Sequence, residues 1–323
     1  MKPIVHLSII GWLWLSSSLV LMRCAQSPTA PDLVPSKELT QIPFGQLSGK
    51  IAFRRALKDQ PQQYYFMLLD GEQRSMKDIA FTELLVPTNL LLSPDGTRII
   101  FANFVFKLQI NRYVWQMYVM DIPTLSIRNV APSEDDDSFG AWAPDGQRIA
   151  FWSNRNQTSS LWLVDLELDS AYFLVEVDEV TRTRPAWFSD NRRLVFASTD
   201  SMFHPTFYEF DLSELSPKQI YTDERSSADV IFKHPAISHD DRWLVFVKSY
   251  RSTFDEIWLF CFETRTARRL TTGAWDWHPA WSPDDRHILF SRGTHLFIVT
   301  TAGDSLRQVT FSKHTDEYPS WAP

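Results

Sequence analysis

The stretch PAWSPDDRHILF, Pro279–Phe290, decides the fold. AWAPDGQRIAF at Ala141–Phe151 and LLSPDGTRIIF at Leu91–Phe101 are near copies of it. Each sets a small-residue, Pro, Asp turn between two short apolar runs. Pro presets φ at the second turn position, Asp bonds the backbone ahead of it, and a Gly in last place tolerates positive φ. The product is a tight hairpin. Two further copies keep the turn without Pro and Gly, as Ser189-Asp190-Asn191 and Ser238-His239-Asp240-Asp241. Asn and Asp are the next residues to tolerate that backbone.

The turn aspartates fall at Asp95, Asp145, Asp190, Asp240 and Asp284, a repeat of 44–50 residues. Within one unit, AWAP, RIAFWS, SLWLVDLE and AYFLVEV read as four strands, with alternating apolar positions and aromatic enrichment. The third strands align as YYFMLLD, WQMYVMD, SLWLVD, FYEFD, EIWLFC and HLFIVT. Asp70, Asp121, Asp165 and Asp211 end four of them and are expected to cap the next turn. Cys261 shares that register and reads as a strand residue rather than a nucleophile. Four-stranded units of this period specify a β-propeller. The chain stops on Tyr318-Pro319-Ser320-Trp321-Ala322-Pro323, a first strand without a second. The repeats open at Gly49–Phe53, a second strand without a first. Joined, the two complete one blade. The expectation is therefore an all-β, six-bladed propeller of four-stranded antiparallel blades over residues 42–323, closed by the C-terminal strand on the N-terminal blade.

Composition agrees. The chain has 323 residues, 44% hydrophobic, with 13 Trp and 23 Phe, ample for a large core. Its net charge of −7 argues against nucleic acid as a partner. Two cysteines build neither a zinc cluster nor a disulfide framework.

Residues 1–24 read as a targeting segment, Lys2 followed by an apolar run. Leu21-Met22-Arg23-Cys24 resembles a bacterial lipobox, with Cys24 as the lipid attachment site. Leu21 fits the pattern, and Arg23 stands where a small residue is usual. A cleaved signal and an uncleaved anchor are the alternatives. All place the remainder outside the cytoplasm, in the periplasm or on the outer membrane of a bacterium. Residues 25–41 are rich in Pro, Ser and Thr and read as a tether.

The units quoted above resemble the repeats of TolB-type propellers, over about 280 residues. Prolyl-oligopeptidase-like enzymes carry the same repeats. The resemblance implies the propeller alone, without the additional N-terminal domain of TolB. It implies little about activity, because the scaffold hosts many functions. Gly-x-Ser-x-Gly, phosphate-loop and His-Glu-x-x-His motifs are absent from the sequence.

In a propeller the fourth-to-first and second-to-third connections share one face, and the Pro-Asp-Gly turns lie on the other. The first group is long and mixed here, as expected of a recognition face. Its aromatics, Trp275, Trp277, Phe104, Phe106 and Phe203, are either contact anchors or rim packing. The residues just before the first strands, Asn89, Phe139, Arg184, His234, His278 and Tyr318, should ring the channel mouth. The expected binding set is Asn89, Arg184, His234, His278, Tyr318 and Trp277, with no catalytic residue, metal or cofactor assigned. A metal on His234 and His278 would need a third ligand, for which Asp276 is nearest. Ser133–Ser138 (SEDDDS) reads as a solvated acidic loop rather than a calcium site. These features point to a monomeric, non-enzymatic binding scaffold of the cell envelope, held at the membrane by its N-terminus and presenting long loops to a protein partner. The alternatives are a lyase-like enzyme acting on a glycan, or a sugar- or anion-binding propeller. In either, the site lies at the channel mouth.

Overall fold

The computed structural model describes residues 38 and 40–323, apart from 84–85, 178–182, 227–228, 251–252 and 273–274. The targeting segment, Cys24 and most of the expected tether lie outside the described residues.

Six four-stranded antiparallel sheets form the blades of a propeller. Blade I joins the C-terminal strand Thr315–Ala322, innermost, to Lys50–Leu57, Gln60–Asp70 and Ser75–Glu83. Blade II is Thr88–Leu92, Arg98–Lys107, Arg112–Asp121 and Ile127–Asn129. Blade III is Asp137–Trp142, Arg148–Ser153, Ser160–Asp165 and Ser170–Glu176. Blade IV is Ala186–Trp187, Arg193–Thr199, Pro205–Asp211 and Pro217–Thr222. Blade V is Val230–Ile237, Trp243–Tyr250, Phe254–Cys261 and Thr266–Arg269. Blade VI is Asp276–Trp281, His287–Arg292, His295–Thr300 and Arg307–Gln308. The ring closes where expected, with Ile51 opposite Trp321 and Ala52 opposite Ser320.

Burial explains the aromatic content. Phe53, Phe101, Phe151, Phe196, Phe246 and Phe290 hold the same place in the second strand of each blade, and all are fully buried. The apolar residues sort into six clusters, one per seam between neighbouring blades. Each blade thus buries both faces, and truncating one such Phe to Ala costs about 3–5 kcal/mol. Tryptophan indoles stitch the inner strands together. Trp142, Trp187 and Trp281 donate to Leu91 O, Ala141 O and Ala236 O of the preceding blade at 2.9–3.3 Å.

The turns behave as their sequences require. Gly96, Gly146, Asn191, Asp241 and Asp285 all adopt φ between +55° and +68°. Asp95, Asp145, Asp190, Asp240 and Asp284 accept from the amide two residues on. Asn and Asp at the last position add a contact Gly lacks. Asn191 accepts from Asp145 N at 2.7 Å, Asp241 from Ser189 N at 2.9 Å and Asp285 from His239 N at 3.0 Å. Each bond ties a turn to that of the preceding blade. Asp70, Asp121, Asp165 and Asp211 cap the next turn through backbone amides at 2.8–2.9 Å. Cys261 is a buried strand residue.

The packed chain reaches back into the segment expected to be tether. Glu38 is 2% exposed. Its carboxylate accepts from Arg55 Nη2 at 3.0 Å and from Phe311 N at 3.1 Å. Asp316 grips the same guanidinium at 2.6 and 2.9 Å. Ile42 and Leu47 then pack into the seam between blades VI and I.

Candidate functional site

On the face opposite the tight turns, the inner strands open on a cavity of about 600 Å³. Asn89, Phe139, His234, His278 and Tyr318 line it, as the sequence leads one to expect. They lie within their strands, however, and not before them. The reason is a repeated backbone irregularity. All five have φ between +51° and +56°. The inner strand slips register at each of these points. A bulge of this kind re-aims a side chain and costs roughly 1–2 kcal/mol in a non-glycine residue. The same backbone geometry recurs at one position of five blades and brings those side chains to the cavity wall.

The residue before each bulge also lines the cavity: Thr88, Ser138, Lys233, Trp277 and Glu317. Only Trp277 of these is in the sequence-derived set. The others could have been found by taking two residues per blade, since a bulge sets two against one of the partner strand. Trp275, expected as an anchor or rim residue, also lines the cavity and is 54% exposed.

Arg184 departs from the ring. Its blade has the shortest inner strand, Ala186–Trp187, and Arg184 does not share the positive φ. It is 5% exposed and donates from Nη2 to Pro279 O of blade VI at 3.0 Å. It also borders the narrower far end of the channel, lined by Trp142, Trp187, Trp281 and Trp321. Arg184 does not line the mouth cavity itself; it lies between the far end and the two histidines, on both of which its charge acts, at the waist of the channel. No carboxylate pairs with it among the described residues, and burial pushes its pKa down to about 10. Thr183 beside it, absent from the sequence-derived set, is a buried support: its hydroxyl accepts from His234 N at 2.7 Å, and its carbonyl from the Trp152 indole.

The two imidazoles meet. His234 and His278 ring centroids are 4.4 Å apart, and His278 lies 4.1 Å from the Tyr318 ring. Burial first, then the charges of Arg184 and Lys233, hold His234 well below the usual imidazole range. Burial, His234, Arg184, Arg54 and Lys233, in that order, do the same to His278. Both rings are neutral near pH 7, and both Nδ1 atoms are buried without a hydrogen-bond partner. Burial raises the Tyr318 phenol. Arg54, which stacks 4.7 Å from Tyr318, is ion-paired to Glu317.

The metal alternative loses its third ligand. Asp276 is fully buried and held by Arg292 at 2.7 and 2.8 Å. Among the described residues no three His, Cys, Asp or Glu side chains are grouped to hold a metal. Three of the four SEDDDS carboxylates are likewise engaged: Asp135 pairs with Arg112, Asp136 accepts from Trp115 N, and Asp137 pairs with Arg155.

The class is that of a closed six-bladed β-propeller with a cavity at one mouth. The family is fixed by comparison: the model of the TolB beta propeller domain matches residues 37–323, and the chain belongs to that family. Among solved structures it is similar to TolB from Acinetobacter baumannii, at TM-score 0.72 and 20% identity, covering 88% of this chain and 69% of that one. A putative TolB from Agrobacterium tumefaciens matches at TM-score 0.62 and 14% identity, over 85% and 95% of the two chains. An oligogalacturonate lyase in complex with manganese matches at TM-score 0.51 and 15% identity, over 81% and 74%. At these identities the likeness is one of fold. No curated protein matches in sequence.

Proposed function

We propose that the chain is a non-enzymatic binding scaffold of the cell envelope that offers its mouth face to a protein partner. One observation carries the reading. Trp275 lines the cavity, and three further exposed aromatics, Phe104, Phe106 and Phe203, lie at or beside the second-to-third strand connections of the same face, the four being 41–62% exposed. The opposite face is tied turn to turn. Exposed aromatics around a pocket are the usual anchors of a protein interface. The targeting segment supports an extracytoplasmic location, with lipid on Cys24 holding a monomeric propeller at the membrane. A metal-dependent glycan-acting enzyme is less well supported, because Arg292 already holds Asp276.

Photo-crosslinking in the native host tests this. A crosslinker at Trp275 or Phe203 should capture a discrete protein, and one at Gln147 or Arg242 on the turn face should not. Capture from the turn face alone would reject the assignment. Cys24→Ser should move the protein from the membrane to the soluble fraction.

A further inference from the structure

Three arginines are buried among the described residues: Arg54, Arg55 and Arg184. Arg54 has Glu317, and Arg55 has both Glu38 and Asp316. Among the described residues Arg184 has only a backbone carbonyl. A guanidinium taken out of water without an anion is expensive, and folds keep such groups paired unless something else supplies the charge. The surroundings of Arg184 make the want of an anion worse. Lys233 and Arg54 add positive charge to the same space, and the Nδ1 atoms of the neutral His234 and His278 have no hydrogen-bond partner among the described residues.

We infer that the channel waist is an oxyanion site in which Arg184, together with the Nδ1 edges of His234 and His278, takes a carboxylate group of a ligand entering through the mouth. The inference rests on the mouth being the binding face and names the chemistry of what it receives. A carboxylate matches the planar guanidinium fork, which donates two parallel bonds to it. One negative charge suits the site better than the two of a phosphate, because Glu317 and Asp136 also line the cavity. Trp275, 54% exposed, and Trp277 line the same cavity and offer apolar surface to the carbon body attached to the carboxylate. That body is an acidic sugar or an acidic polypeptide side chain, and the two share the carboxylate.

The test is a titration of the isotopically labelled full chain, followed by histidine ring signals in NMR near neutral pH at constant ionic strength. The His234→Gln and His278→Gln variants assign the two signals. Sodium acetate, replacing chloride, should shift both rings saturably. Arg184→Met should weaken that binding by about tenfold to a hundredfold, the worth of charge-assisted hydrogen bonds. His278→Phe, which keeps a ring against Tyr318, should weaken it too and stands in if Arg184→Met fails to fold. Galacturonate and N-acetylaspartate then separate the two sources: the one that binds more tightly than acetate identifies the body. Shifts that grow linearly without saturation, or equal affinity in the Arg184 variant, overturn the site. A failed titration beside intact crosslinking at Trp275 removes the oxyanion site and leaves the scaffold. The reverse pair of results removes the protein-partner reading and leaves the site.

Discussion

Replacing Arg184 by Met should make the protein more stable, although the side chain is buried and hydrogen-bonded. The guanidinium is held at a pKa of about 10 against an ordinary 12.5, a burden of about 3 kcal/mol at roughly 1.4 kcal/mol per unit. The variant loses one charged hydrogen bond to Pro279 O, worth about 1.5–3 kcal/mol. Met restores much of the volume and brings no charge. The balance is a gain of about 1 kcal/mol, a rise in Tm of about 2 °C for a domain of this size. The sign with pH follows from linkage. Arg184 has a folded pKa below its unfolded one, so its cost is complete below about pH 10 and fades as pH rises from there towards 12.5. The gap between variant and wild type should therefore be constant around neutrality and close in strong alkali. Calorimetry in chloride, free of carboxylate buffers, measures it. Acetate should then stabilise the wild type and leave the variant unmoved, by mass action on the folded state. A variant that melts several degrees lower in chloride would refute the reasoning, for it would mean that Arg184 is a structural residue whose charge the fold already satisfies.

Glu38→Ala should cost about 3 kcal/mol in chemical denaturation, because it removes one carboxylate from a fully buried guanidinium. Deleting residues 318–323 removes most of the innermost strand of blade I, the buried Trp321 with it, and a circular-dichroism melt should show a loss of at least about 3 kcal/mol. His239 and Asp285 form a pH-sensitive clamp between blades V and VI. The hydrogen bond to Asp285 raises the His239 pKa in spite of burial, so its contribution is full below about pH 6.5 and is lost as pH rises through the raised value. Burial would raise the Asp285 carboxyl, but the bonds from His239 hold it low, and its share is lost only as pH falls through that lowered value. The Tm difference between wild type and His239→Asn should be larger at pH 5.5 than at pH 8.

The turns carried most of the legible information. Asp95 and its four equivalents act within two residues of themselves, so local chemistry announces them. The same locality made the blade count and ring closure readable from Tyr318–Ala322 and Gly49–Phe53. The clamps of Asn191, Asp241 and Asp285 were not readable. Each side chain answers a backbone amide 46–52 residues away, and in sequence it looks only like a tolerated replacement for Gly. Glu38 was hidden for the converse reason. It stands in a polar, Pro-rich run, and only the fold brings Arg55, Phe311 and Asp316 to it. The mouth residues were found by register, but their left-handed backbone and the paired residues before them were not. That Arg184 has no carboxylate partner among the described residues depends on how the channel packs and is invisible in the sequence.

The position of Glu38 also bears on how the molecule carries mechanical load. The ring has one seam where it is held shut by pairing of its two ends, Lys50–Leu57 with Thr315–Ala322. A pull arriving along the chain from the N-terminal side would, without further attachment, peel that seam open one hydrogen bond at a time. It meets Glu38 first. There the force passes through Arg55 into Asp316, which belongs to the closing strand itself, and into the backbone of Phe311. Both sides of the seam are then drawn together, so the cluster acts as strain relief, as a cable clamp does ahead of a soldered joint.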